Sequence, residues 1–266
     1  MKLTTALSSI LLASPALAAP LTSQRQARNA RRATNRSSHP PYKPDSTELL
    51  HLTNTSHVEY SSNWAGAVLI GTGYTAVTGE FTVPTPSAPT GGSSSTEYCA
   101  SAWVGIDGDT CETAILQTGV DFCVRGGQVS FDAWYEWYPD YAYDFSGISI
   151  SAGDTIKVTV DASSKTAGTA TVENVSTGKT VTHTFNGGVD GDLCEYNAEW
   201  IVEDFESNGS LVAFADFGSV TFTGAEATKG GESVGPSGAT VIDIKQGNEV
   251  LTEVEIESDE VTVSYV

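Results

Sequence analysis

From residue 59 to residue 266, apolar side chains recur at every second position in short runs, and no stretch carries the 3.6-residue spacing of an amphipathic helix. That property alone excludes helical and mixed architectures. Runs such as Ala67–Ile70, Tyr74–Val83, Ile148–Ile150, Thr155–Val160, Thr169–Val175, Thr180–Phe185, Leu211–Phe217 and Val261–Val266 end in Gly, Asp, Asn or Ser, the residues that turn a chain between strands. About 200 residues organised this way suit one domain with a sizeable core. Strands with one apolar face need a second layer to cover it. The expected fold is therefore all-β, a two-sheet antiparallel β-sandwich of the lectin-like jelly-roll type. The Pro84–Ser95 stretch, rich in Pro, Gly and Ser, reads as a long surface loop inside that domain.

The same alternation sorts side chains by face. In Ser101–Asp107, Ala102, Val104 and Ile106 oppose Ser101, Trp103, Gly105 and Asp107. In Asp132–Tyr138, Ala133, Tyr135 and Trp137 oppose Asp132, Trp134, Glu136 and Tyr138. In Ala198–Phe205, Ala198, Trp200 and Val202 oppose Glu199, Ile201, Glu203 and Phe205. Each strand thus has one face mixing aromatics with carboxylates, which suits neither a dry core nor a plain solvated surface. A shared concave groove accounts for all of them.

The beginning of the chain indicates an export route. Met1-Lys2 precedes an apolar run through Ile10, Leu11 and Leu12 and then Ala16-Leu17-Ala18, which reads as a signal peptide over residues 1–18. Its apolar core is shorter than the roughly 20 residues of a membrane span, so no membrane partner is expected and the mature protein should be extracellular. Residues 19–58 are basic and lack apolar periodicity, as in a propeptide, with the domain following at 59–266. Residues 1–58 hold 7 of the 13 basic and 2 of the 33 acidic residues, which leaves 6 against 31 and a formal charge of −25 on the remainder. Such a surface repels nucleic acid and anionic membranes. Crowded carboxylates also resist ionisation, so the domain is expected to be most stable in acid and weakened towards neutrality.

Four cysteines, Cys99, Cys111, Cys123 and Cys194, read as two disulfides in a secreted chain, with three connectivities open. Sequons begin at Asn35, Asn54, Asn174 and Asn208, the first two within the propeptide.

No Gly-x-Ser-x-Gly elbow and no His-Glu-x-x-His motif occurs, and His183 is the one histidine after residue 58. A serine or cysteine triad is hard to build from that inventory, and no zinc-type CxxC spacing is present. Carboxylates, amides, tyrosines and tryptophans remain. They suit either peptide hydrolysis by a carboxylate-activated water or glycoside hydrolysis by an acid pair.

Several motifs narrow this choice: Ser62–Ala67 (SNWAGA), Ala102–Cys111 (AWVGIDGDTC), Ile115–Gly119 (ILQTG), Ala133–Pro139 (AWYEWYP) and Asn197–Phe205 (NAEWIVEDF). In this order, and together with the basic propeptide, they closely resemble the fungal glutamic peptidase (eqolisin) family across essentially all of residues 59–266. The resemblance implies a double-sheet β-sandwich and a pepstatin-insensitive acid endopeptidase with no cofactor and no metal. Its partners would be protein and peptide substrates, with its own propeptide as inhibitor, and it would act as a monomer. The family's catalytic glutamine falls on Gln117 and its glutamate on Glu203, with Glu199 competing from the same strand face. Its groove tryptophans match Trp64 and Trp103, and its supporting acids match Asp107 and Glu136. The plain alternative for the two tryptophans is core anchoring, and for the two acids the satisfaction of buried backbone donors. The family pairing joins Cys111 to Cys194 and leaves Cys99 with Cys123. Some members are cut into two chains at a basic loop, but residues 84–98 carry no Lys or Arg, so that cut is not expected here. The reading from another class is a carbohydrate-binding sandwich or acid glycosidase, since aromatic and carboxylate faces also suit sugars.

Overall fold

The computed structural model describes residues 36–43 and 58–266. The expectations for residues 1–18, for the rest of 19–58 and for the sequons at Asn35 and Asn54 lie outside the described residues.

All regular structure among the described residues is strand. The principal strands are β1 (Trp64–Ile70), β2 (Tyr74–Thr82), β3 (Tyr98–Ile106), β4 (Ile115–Arg125), β5 (Gln128–Tyr138), β6 (Thr155–Ser164), β7 (Ala167–Asn174), β8 (Lys179–Asn186), β9 (Asn197–Glu203), β10 (Ser219–Lys229), β11 (Thr240–Gln246), β12 (Thr252–Glu257) and β13 (Glu260–Tyr265). They form two antiparallel sheets. The front sheet has the order β11-β1-β9-β3-β4-β5, extended at its margins by short strands, and the rear sheet runs β8-β7-β6-β2-β10-β13-β12. The two-sheet sandwich expected from the alternation is what forms.

Between the sheets lie Val104, Leu116, Phe122 and Trp200 of the front and Phe81, Val158, Phe222 and Val263 of the rear. Burying one such side chain stabilises the fold by about 1.5–3 kcal/mol. Trp200 is satisfied as well as buried, because its indole N–H reaches across the sandwich to Thr78 O at 2.8 Å. A second apolar layer covers the outer face of the front sheet, built from Trp64, Val68, Trp103, Ile115, Trp134 and Ile201. A sheet with apolar side chains on both faces has a cover on each, and the outer cover here includes residues 36–43.

Two of the expected strands are not formed. Residues 148–150 lie outside any strand. Ile148 and Ile150 still pack on the core, but Ser149 O accepts from the Asn174 side chain at 3.0 Å in place of a ladder partner. The expected strand Leu211–Phe217 is broken into Ser210–Leu211 and Ala213–Phe214. Its amides turn to different neighbours: Val212 N donates to Phe205 O at 3.0 Å and Ala215 N to Cys99 O at 3.0 Å.

The disulfides are Cys99–Cys123 and Cys111–Cys194, as the resemblance implied. The sequon at Asn174 is corrected by the fold. Asn174 is fully buried, and its amide nitrogen donates to Ser149 O at 3.0 Å and Asp154 Oδ2 at 2.8 Å. That nitrogen cannot carry a glycan in the folded protein. Asn208, on an exposed hairpin tip, remains open to one.

Candidate active site

The outer face of the front sheet gathers the residues singled out by alternation. Register places Glu203 opposite Trp64 on one side and Ser101 on the other. Ile201 lies opposite Trp103, Glu199 opposite Gly105, and Gly105 opposite Gln117. Gln117 in turn lies opposite Glu136. Gln117, Glu203, Glu199, Glu136, Trp64 and Trp103 therefore share one face of one sheet, with Trp103 between the amide and the Glu203 carboxyl.

Two glycines make this crowding possible. A methyl group at position 119 would collide with Ala102 O and with Cβ of Trp103, so Gly119 lets the indole lie across β4. At Gly105 a Cβ would stand 2.8 Å from the Trp103 ring, 2.9 Å from Glu199 Oε1 and 3.4 Å from Gln117 Cβ. No side chain larger than hydrogen fits where these groups converge.

Glu203 is fully buried. The Trp103 indole N–H donates to its Oε2 at 3.0 Å, and its Oε1 accepts from His39 N at 3.3 Å. Burial pushes its carboxyl up to about 7, against the lowering effects of the Arg36 guanidinium, His39 N–H and Trp103. Glu136 is also buried and well above the usual carboxylate range, raised first by burial and also by Glu203, and lowered by Arg36. It accepts from Ser38 N at 3.2 Å. Both oxygen and nitrogen of the Gln117 amide are buried with no hydrogen-bond partner among the described residues. A primary amide in that state is poised to bind something brought to it.

Glu199 and Asp107 occupy different surroundings. Glu199 is buried behind Gly105, raised by burial and then by Asp107 and Asp109, and neither of its oxygens has a partner among the described residues. Asp107 ends β3 in a left-handed conformation with φ of 70°. Its carboxylate accepts from the backbone N–H groups of Cys194, Glu195, Tyr196 and Asn197 at 2.6–3.2 Å. It ties down the turn leading into β9, which is the plain alternative for this residue, and no hydrogen bond joins it to Gln117 or Glu203. Asp107 also lies near both sulfurs of Cys111–Cys194, but a disulfide offers no thiolate to a metal. Trp64 packs edge-on against Trp103, ring centres 4.9 Å apart.

The segment 36–43 lies across these groups. Arg36–Ser37 pairs with Glu206–Ser207 as a short antiparallel ladder, and Ala142 N donates to Arg36 O at 3.1 Å. Tyr42 N donates to Asn63 Oδ1 at 2.7 Å and Tyr42 O accepts from Ser62 N at 3.0 Å. Lys43 reaches Asp109 at 3.0 Å. Beside the segment a cleft of about 560 Å³, lined by Tyr138, Pro139, Tyr141, Glu206 and Asn208, remains open.

Sequence reasoning did not single out Asp121, whose carboxylate receives Arg36, or Asn63, which holds the segment's far end. The signal for Asp121 was present, because Gln117, Gly119 and Asp121 alternate on one face of β4.

A β-sandwich that holds buried carboxyls and a buried, unpartnered amide beneath an extended peptide has the parts of a peptidase groove. The model of the Peptidase A4 family matches residues 62–265, and the chain belongs to that family. It is 67% identical to Aspergillopepsin-2 of Aspergillus niger and 43% identical to Scytalidopepsin B of Scytalidium lignicola, in both cases over the whole of each chain. Among solved structures it resembles scytalido-glutamic peptidase with a transition-state analogue inhibitor, with a TM-score of 0.71 and 45% identity over 77% of this chain and 98% of that one. It also resembles aspergilloglutamic peptidase from Aspergillus niger, with a TM-score of 0.63 and 76% identity over 64% of this chain and 99% of that one. The protein is thus a glutamic endopeptidase.

Proposed function

We propose that the chain is made as an inactive secreted precursor, and that after acid activation it hydrolyses peptide bonds of proteins with Glu203 as general base and Gln117 as oxyanion donor. The observation that carries this reading is the extended segment whose consecutive amides, Ser38 N and His39 N, rest on Glu136 and Glu203 beside the unpartnered Gln117 amide. A substrate peptide lying the same way brings its carbonyl between the two groups. The Glu203 carboxylate takes a proton from a water as that water attacks the carbonyl carbon, and it returns the proton to the departing nitrogen as the C–N bond breaks. Gln117 donates an amide N–H to the oxygen that gains negative charge, a contribution on the order of 3 kcal/mol. An amide keeps that donor at every acid pH. Opening the groove to water relieves the burial that chiefly raises Glu203, which ionisation in acid requires. Glu199 meets no residue of the segment through any hydrogen bond, which favours Glu203 as the base.

Charge supports the precursor reading. Arg36 is paired with Asp121 at 2.6 Å and Lys43 with Asp109 at 3.0 Å, so the segment's hold on the domain is in part ionic and complements the domain's acidic charge. Glu203→Gln and Gln117→Ala are each expected to lose at least about 100-fold in acid hydrolysis of casein or haemoglobin. Pepstatin and EDTA are present in the assay, and circular dichroism confirms the fold. Near-normal turnover in either variant refutes the assignment, and glycan retention without proteolysis supports the carbohydrate reading instead.

A further inference from the structure

Glu199 is a buried acid of this face that the hydrolytic scheme leaves unused. Register places it opposite Gly105, and Gly105 opposite Gln117, so the two side chains flank a position that carries none. A Cβ at residue 105 would stand 2.9 Å from Glu199 Oε1 and 3.4 Å from Gln117 Cβ. The strand between them is therefore no barrier to their meeting. Both residues are fully buried. Neither oxygen of Glu199 and neither polar atom of the Gln117 amide has a hydrogen-bond partner among the described residues. Polar atoms left unpaired in an interior are costly, and groups this close relieve that cost by serving each other, directly or through a water.

An oxyanion donor has to present its correct end. Turning the Gln117 amide by half a rotation puts its carbonyl oxygen where the N–H belongs, and that oxygen repels the charge the amide is there to stabilise. A donor on Oε1 prevents the turn. Glu136, on the other side of Gln117, is engaged with Ser38 N at 3.2 Å and stands 3.8 Å from Arg36 Nη1. Glu199 has no such engagement among the described residues. The ionisable groups that face it are Asp107 at the end of β3 and Asp109 just beyond, while β1 places Val68 opposite it. Lys43, which reaches Asp109 at 3.0 Å, belongs to the covering segment. Burial first, and then the two aspartates, hold the Glu199 carboxyl well above the usual carboxylate range. In acid it is neutral, and a neutral carboxyl has an O–H to give.

We infer that Glu199 is a positioning residue for the peptidase reaction: its protonated carboxyl donates to Gln117 Oε1, directly or through one water, and so turns the amide nitrogen towards the carbonyl oxygen of the substrate. The inference rests on the oxyanion role proposed for Gln117. Once ionised, Glu199 can only accept, and it draws the amide N–H away from the substrate. Loss of its proton therefore sets an alkaline limit on kcat, whereas the need for an ionised Glu203 sets the acid limit.

The acid-activated full chain is compared with Glu199→Leu and Glu199→Gln on one fluorogenic peptide, from about pH 3 to about pH 7. Initial rates are used, and return to acid checks that each loss is reversible. Leucine fills the site without a donor, so kcat should fall at least about tenfold while KM stays within about twofold. Glutamine offers an N–H at every pH. It should recover most of kcat in acid, and the alkaline decline seen in the wild type should disappear. The ratio of kcat at two pH values is internal to each enzyme and is unaffected by how much of a variant folds. An unchanged alkaline limb in Glu199→Gln overturns the inference, and so does wild-type kcat per folded molecule in Glu199→Leu. Near-normal turnover of Gln117→Ala would instead remove the oxyanion reading itself. An inactive Gln117→Ala beside an unaffected Glu199→Leu tells against Glu199 alone.

Discussion

Asp204 offers a direct test of why so acidic a domain should prefer acid. It follows Glu203, and its Oδ2 accepts from Gln246 Nε2 at 2.7 Å, while its Oδ1 has no partner among the described residues. Burial first, and Glu203 second, push its carboxyl from 3.8 up to about 8, against the lowering effect of Gln246. A carboxyl raised on folding stabilises the folded state fully below its unfolded value, near 4. It loses that contribution as pH climbs through the folded value. At about 1.4 kcal/mol per unit of separation, the whole change is on the order of 5 kcal/mol, comparable with the ~5–15 kcal/mol that holds a domain folded. Asp204→Asn leaves an oxygen for Gln246, and its amide nitrogen stands where the protonated acid would have its hydroxyl. It is neutral at every pH. The variant should match its parent near pH 4 and exceed it by several kcal/mol near pH 8. Urea unfolding at about pH 4, 6 and 8 measures this, with both proteins carrying Gln117→Ala to prevent self-digestion. A difference between them that is the same at all three pH values would refute the reasoning.

Other consequences can be checked separately. Arg36→Gln removes the forked pair with Asp121, so the proposed precursor should process itself faster than wild type in a gel time course; unchanged processing would tell against the segment's inhibitory hold. Trp103→Phe deletes the N–H on Glu203 Oε2. It should lower kcat at least severalfold and raise the pH limb assigned to Glu203, because a bond that favoured the charged form is lost. Replacing Cys111 and Cys194 by Ser opens a loop of 83 residues, against 24 for the other bridge. Loop entropy puts the costs at about 4.5 and about 3.5 kcal/mol, and paired unfolding curves with the opposite order would refute this. Mass spectrometry of peptides should find glycan at Asn208 and none at Asn174.

The alternation that reveals the sheets also shows how far sequence can carry this argument. Period two correctly placed Trp103, Trp134, Glu136, Glu199 and Glu203 on one face, because facing is a local property of a strand. It could not separate Glu199 from Glu203, which share a strand and a face. Their difference arises from what their carboxyls meet, Gly105 and buried surroundings for one, the Trp103 indole N–H and His39 N for the other. Asp107 illustrates the same limit from the other side. Alternation assigns it to the groove, yet the chain turns left-handed there and its carboxylate points back to four amides that lie 87 to 90 residues further along. Asn174 satisfies a three-residue glycosylation rule, but the rule does not take account of Asp154 and Ser149, which bury its amide. Asp121 was overlooked because an acid on a strand reads as solvated until a cation is known to meet it, and that cation is 85 residues away in the sequence. A mixed aromatic and acidic face is therefore better read as a surface that is incomplete by itself. Here residues 36–43 supply that cover among the described residues, bringing Arg36 to Asp121 and Lys43 to Asp109.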